Sequence, residues 1–292
     1  MTPLLVELLV EELPPKALKK LGESFAQLLA DGLKAQGLAA PEAVVQNFAT
    51  PRRLAAHISK VLDRAPVKAM QHKLMPLAVA LDATGAATPA LLKKLAALGA
   101  DASVLPQLQR RPDGKAETLF FDTTLPGATL AEGLQKALAE AIHKLPIPKV
   151  MQYQLADGWT SVNFVRPAHG LVALHGDAVV AVDALGLTAT RNTQGHRFEA
   201  PAPSITLRDA DSYAQQLRDE GAVMASFAER RAEISRQLED AATTEGLQAI
   251  EDDALLDEVT ALVERPKVLL CRFVSTGQGS RFGWCKGTFS SH

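Results

Sequence analysis

An apolar run over residues 4–10 is broken at its centre by one carboxylate, Glu7. The run predicts a buried strand, and a carboxylate inside a buried strand needs a partner. The double proline Pro14-Pro15 fits a helix start, because the first turn needs no amide donors. Leu18, Leu21, Phe25, Leu28 and Leu29 then recur at helical spacing, and Gly37 suits the carboxyl-terminal stop. Residues 44–49 and 54–62 predict a second and a third strand, joined through Thr50-Pro51-Arg52-Arg53. This turn offers Glu7 an arginine. The resulting strand–helix–strand–strand opening points to an α+β architecture, with mixed or antiparallel sheets and packed helices.

The pattern weakens over residues 65–126, where only 91–98 predicts a short helix and Phe120-Phe121 a strand after the turn Pro112-Asp113-Gly114. Leu130, Leu134, Ala137, Leu138, Ala141 and Ile142 form a helical stripe, which Pro146 and Pro148 end. Residues 170–174 and 178–182 predict paired strands about a three-residue turn, His175-Gly176-Asp177. Residues 188–198 are polar and predict a loop. Beyond Pro201-Ala202-Pro203 the composition shifts, and residues 213–217, 227–242 and 255–263 predict helices. The expected organisation is an α+β domain over 1–200, a mainly helical segment over 201–273, and a divergent, poorly ordered tail over 274–292.

At 292 residues and 47% hydrophobic, the chain can bury the core of one large domain or two ordinary ones. Aromatics at 5% leave little for base-stacking platforms. A formal charge of −2 removes any global basic excess but leaves room for a local basic face. Two cysteines, Cys271 and Cys285, make no disulfide framework and predict free thiols. No secretory signal is evident at the start, and no stretch reaches the ~20 apolar residues of a membrane span. The expected location is the cytoplasm, with no membrane partner.

No serine-nucleophile elbow, phosphate loop, zinc-protease helix or Cys-x-x-Cys is present, and Gly277-Gln278-Gly279-Ser280 lacks phosphate-loop spacing. No residue is therefore expected to be catalytic, cofactor-binding or metal-ligating. Glu7, Glu11 and Glu12 stand open to two readings. They form an acid/base pair with one member desolvated, or Glu11 and Glu12 stabilise the positive end of the following helix. Arg52 and Arg53, fixed by Pro51, begin a cationic stretch through Lys60, Arg64, Lys68, His72 and Lys73. That stretch is either a solvated face or one that meets phosphate or a partner. Arg166, His169, His196 and Arg197 form a second cationic group, and Arg191 flanks the polar loop with it. Lys149 follows a proline pair on a stiff connector. The candidate tRNA or partner contacts are Arg52, Arg53, Lys149, Arg166, His169, Arg191, His196 and Arg197.

Five phrases carry a family likeness. They are Glu7 with Glu11-Glu12-Leu13-Pro14-Pro15-Lys16; Ala49-Thr50-Pro51-Arg52-Arg53-Leu54; Leu145-Pro146-Ile147-Pro148-Lys149; Phe164-Val165-Arg166-Pro167-Ala168-His169; and Gly195-His196-Arg197-Phe198. In this order, and with Glu258-Val259-Thr260-Ala261-Leu262-Val263-Glu264 behind them, the chain resembles the amino-terminal part of the beta subunit of bacterial heterotetrameric glycyl-tRNA synthetase. It departs from the family's pattern at Leu8-Leu9-Val10 and at Gln152, where the family carries an arginine. The likeness covers residues 4–273, so a truncated beta subunit is expected. The resemblance implies a fold similar to the B3/B4 module of the phenylalanyl-tRNA synthetase beta subunit, with no editing site carried over. It also implies a subunit that binds tRNA and joins an alpha subunit in an alpha2-beta2 tetramer. That alpha subunit would bind ATP and form the glycyl adenylate, leaving this chain inactive alone and without a cofactor. The alternative is a truncated, non-catalytic scaffold or partner-binding piece.

Overall fold

The computed structural model describes residues 1–82, 85–113 and 116–271. The expectations for Gly114, Cys285, the 277–280 glycine segment and the 274–292 tail lie outside them. The chain runs through β1 (Thr2–Val10), α1 (Pro15–Ala35), β2 (Val45–Thr50) and β3 (Arg53–Val61). Next come β4 (Lys68–Pro76), α2 (Leu77–Ala80), α3 (Pro89–Ala97), β5 (Gln109–Asp113) and β6 (Ala116–Leu125). They are followed by α4 (Leu130–Lys144), β7 (Met151–Gln154), β8 (Ser161–Phe164), β9 (Ala168–His175) and β10 (Ala178–Val179). Four short strands, β11 (Asp183–Ala184), β12 (Leu187–Thr188), β13 (Asn192–Thr193) and β14 (Ile205–Thr206), precede α5 (Tyr213–Asp219), α6 (Phe227–Thr244) and α7 (Asp253–Thr260). The architecture is α+β with antiparallel sheets and several helices, and the opening strand–helix–strand–strand unit stands as the sequence implies.

The described residues divide into two compact units, one formed by residues 1–35, 39–61 and 131–271 and the other drawn from 36–38 and 62–130. The first holds a five-stranded antiparallel sheet in the order β10-β9-β1-β3-β2. β1 lies between β9 and β3, with Glu7 opposite Val172 on one side and Ala55 on the other. All of β1 from Leu4 to Val10 is buried, because the sheet is covered on both faces. α1 buries Leu18, Leu21, Phe25, Leu29 and Leu33 and lies against β2 and β3. Gly22 permits that approach, since a Cβ there would come within 2.6 Å of Ala49 Cβ. On the face carrying Leu5, successive side chains alternating as a strand dictates, Phe48, Ala55, Val172 and Leu174 pack against Tyr213, Leu217 and Val223. Glu7 points to the same side as Leu5, into this second core.

β9 and β10 form the expected hairpin, but with a two-residue loop. His175 pairs directly with Ala178, and Gly176 takes a φ of +61°, the left-handed conformation that a tight primed turn requires at its first position. Ser226 caps α6 by accepting from the Glu229 amide at 3.3 Å, a spacing written in the sequence as Ser-x-x-Glu.

The second unit is a three-stranded antiparallel sheet, β4-β6-β5. Leu74, Leu119 and Phe121 meet Ala80, Leu91 and Leu95 from α2 and α3 in one small core. Thr88 caps α3 and Pro89 opens it, which places a short helix where the periodicity was short. Among the described residues, no helix is long and apolar enough to cross a membrane.

Candidate functional site

Glu7 is 1% exposed, and both its oxygens are occupied. Oε1 accepts from the Thr193 hydroxyl and Oε2 from the Tyr213 hydroxyl. Arg53, at the head of β3, brings Nε to 3.6 Å from Glu7 Oε2. Its Nη1 donates to Glu264 Oε1 at 2.9 Å and its Nη2 to the Gln194 carbonyl at 2.7 Å. Thr50, at the end of β2, also donates to Glu264 Oε1, at 2.9 Å. Two carboxylates and one guanidinium are thus enclosed with three hydroxyls, each charge facing an opposite one. Burial works against the Arg53 cation, but Glu264 and then Glu7 outweigh it and hold its pKa above the ordinary arginine value. Burial first, and the charge of Glu7 second, push the Tyr213 phenol well above its ordinary value.

A second arginine, Arg230 of α6, completes this interior. It donates through Nη1 to the carbonyls of Met224 (2.7 Å) and Ala225 (3.2 Å), and through Nη2 to those of Ala49 (2.6 Å) and Thr260 (3.4 Å). Its four acceptors are neutral, so burial lowers it to about 10, with the charge of Glu264 opposing that shift. Arg230 therefore ties α6 to the end of β2 and to the end of α7. Arg53 Nε makes no hydrogen bond among the described residues, but the carboxylates are engaged: no oxygen of Glu7 is free to take a proton from a substrate, and the acid/base reading of Glu7 gives way to a structural one. No group of His, Cys, Asp or Glu able to hold a metal occurs among the described residues.

This placement corrects one expected contact. Arg53, grouped in sequence with possible tRNA contacts, is fully buried and engaged by Glu7, Glu264 and Gln194, so it faces no partner. Arg52 is half-buried, and its Nε has no hydrogen-bond partner among the described residues. The long cationic stretch does not form one face of either unit, because residues 52–60 belong to the first and residues 64–73 to the second. Lys60 pairs with Glu42 at 3.2 Å, and Arg64 reaches the Gly127 carbonyl at 3.0 Å.

The second cationic group does partly assemble. Glu11 Oε1 lies 2.8 Å from His169 Nε2, and its Oε2 lies 4.0 Å from Arg197 Nη2. Glu11 is therefore a bridge between β9 and the 195–198 loop. The expected dipole role fails for it, since the first turn of α1 contains no acidic residue and Leu13-Pro14 intervene. His196 Nδ1 accepts from the amides of Phe198 (3.3 Å) and Glu199 (3.2 Å), shaping the loop that carries Arg197. Arg166 donates to the Glu12 carbonyl at 2.8 Å and to the Val165 carbonyl at 2.9 Å, which makes it a clamp. Arg191 donates to the Asp177 carbonyl at 2.6 Å and braces the β9–β10 turn. Lys149 is exposed and joins none of these bonds. His169 and Arg197, with His196 and Phe198 beside them, remain the exposed cluster.

Thr193, Tyr213 and Arg230 escaped the sequence argument, and Thr50 and Glu264 entered it only inside the family phrases, with no role assigned. Arg230 left a trace of another kind, since it falls on the same buried helical stripe as Phe227 and Ile234.

The first unit is thus an α+β fold that encloses a cluster of paired charges and carries exposed Arg197 on a loop. Comparison with known proteins is specific. Residues 4–276 match the family described as glycyl-tRNA synthetase beta subunit. The glycine–tRNA ligase beta subunit of Leptothrix cholodnii is 72% identical over 270 residues, covering 92% of this chain and 38% of the relative. Those of Acidovorax ebreus and Thiobacillus denitrificans are each 67% identical, with the same coverage. The chain belongs to the glycyl-tRNA synthetase beta subunit family. It spans a little over a third of the length of these relatives.

Proposed function

We propose that the chain contributes tRNA binding and subunit assembly to a glycine–tRNA ligase, while a separate alpha subunit binds ATP and forms the adenylate. The observation that carries this reading is 72% identity across 92% of the chain to a glycine–tRNA ligase beta subunit. In this reading the fold is B3/B4-like over the first 200 residues, the assembly is an alpha2-beta2 tetramer, and the compartment is the cytoplasm. Exposed Arg197 and Lys149 and half-buried Arg52 supply charge for phosphate oxygens, and exposed His169 a further polar contact.

Phosphate contacts release counterions, so tRNA affinity falls with added salt, by about 0.7–0.9 in log slope for each contact. The test combines a salt series of tRNA binding by this chain with tRNA glycylation after addition of the alpha subunit. Salt-dependent binding, together with glycylation that needs both chains, is the expected result. Affinity that ignores salt, with no glycylation, would leave a scaffold that carries only the fold.

A further inference from the structure

The exposed cluster does not stand on a flat surface. Beside it lies a cleft of about 250 Å³ between β9 and the β12–β13 segment, with Leu9 and Leu171 among its lining residues. Leu9 is buried on the Glu7 face of the sheet and, with half-buried Leu187, gives the cleft an apolar floor, whereas Leu171 pairs with Leu8 and meets the cleft through its backbone. Its walls carry Thr188, Thr190, Asn192, Gln194 and Ser204, all exposed, and His169 stands among them. Thr193 also lines it, fixed from beneath by its hydrogen bond to Glu7. At the rim Glu11 joins His169 to Arg197, and next along the loop Phe198 is 83% exposed.

We infer that this cleft receives one unpaired nucleotide of an RNA. Its volume lies below the range of about 300–1,000 Å³ that takes a drug-sized molecule, and so suits one nucleoside. The lining includes hydroxyls and carboxamides and no carboxylate, groups that both donate and accept and so match ribose hydroxyls and base edges. A free anion or a metal ion would ask for charged walls instead. The apolar floor suits the face of the sugar or base. Arg197, linked through Glu11 to the cleft-lining His169, supplies positive charge for the phosphate, and exposed Phe198 on the same loop offers a stacking face for the neighbouring base. The floor is held in place by the buried Glu7 cluster, so the site is formed before the ligand arrives.

The inference rests on the tRNA-binding reading, and its test separates the two. The 292-residue chain is titrated with an RNA hairpin bearing a short unpaired tail, and with the same hairpin blunt-ended. The tail should tighten binding by roughly tenfold or more, the range set by stacking of one base. Phe198→Ala should remove most of that gain, and Arg197→Gln should lower the log salt slope by about 0.7. Gln194→Ala and Ser204→Ala should weaken the tailed RNA while leaving the blunt one unchanged. These side chains are exposed, so circular dichroism of every variant should match the parent. Equal affinity for tailed and blunt RNA would overturn the cleft assignment. So would an unaltered Phe198→Ala that still binds tRNA in a salt-dependent way, and that outcome leaves the tRNA reading standing. Failure to bind any RNA removes both.

Discussion

Glu7 and Glu11 are four residues apart, and each meets an arginine, yet their surroundings make them opposites. Glu7 sits in the sheet with its oxygens closed by Thr193 and Tyr213 and a cation at 3.6 Å. Glu11 has left the sheet and holds His169 and Arg197 loosely, with about two-fifths of its side chain exposed. In the interior an unmatched charge is costly, so every member of the first cluster is committed to another. In water the same pairing is worth little, and the second cluster stays open to exchange partners. Closure produces stability; openness leaves a surface on which recognition can act.

The strongest way to break that contrast is Arg53→Met. It leaves Glu7 and Glu264 buried without their cation and should cost about 3–5 kcal/mol in urea unfolding. A loss below about 1 kcal/mol would show that the interior relaxes or admits water. Tyr213→Phe is gentler: it deletes one donor to Glu7 and should cost about 1–3 kcal/mol.

The same substitution sharpens the contrast through pH. The Tyr213 phenol is held well above its ordinary value of 10, by burial first and Glu7 second. A raised pKa means that the stabilisation is whole below pH 10 and drains away as pH climbs past it. The stability gap between the parent and Tyr213→Phe should therefore narrow above about pH 10, and a gap that widens there would contradict the assignment. At the surface the sign reverses. Glu233 of α6 is lowered from 4.5 to about 2, chiefly by Arg236 and then by Gln237. Its contribution is present above pH 4.5 and fades as pH falls toward 2. Glu233→Gln should cost only a few tenths of a kcal/mol at neutral pH, and nothing at the acid end.

A comparably small effect on stability belongs to Glu11→Gln, within about 0.5 kcal/mol. Its effect on binding should be visible all the same. Released from Glu11, His169 and Arg197 present more positive potential, so the log salt slope of RNA binding should steepen. An unchanged slope would place the RNA elsewhere.

Local structure was legible wherever periodicity and caps were strong. Residues 4–10, the α1 stripe and Gly37 predicted strand, helix and stop because each signal is carried by neighbours. The turn that supplies the partner of Glu7 was legible too, though which of its two arginines does so was not; Arg53 does, entering β3 opposite Leu9. What the sequence concealed was distance. Thr193 and Tyr213 reach Glu7 from 186 and 206 residues away, and no spacing rule links a hydroxyl to a carboxylate over such a separation. For the same reason Arg53 and Arg52 looked alike, although burial makes one structural and leaves the other half in water. The second unit was hidden because its helices, α2 and α3, are short and alanine-rich, and because the chain leaves and re-enters the first unit around it.

Glu264 has a consequence in time. It neutralises an arginine made 211 residues earlier. At synthesis rates of about 5–20 residues per second, roughly 10–40 s pass between the appearance of Arg53 and that of its partner. Through that interval the nascent sheet has Glu7 alone to offset Arg53, and Tyr213 joins late. The amino-terminal strands thus cannot settle into their final packing until residue 264 has been made. Ribosome-bound chains ending before it should remain open to protease, while longer ones should close.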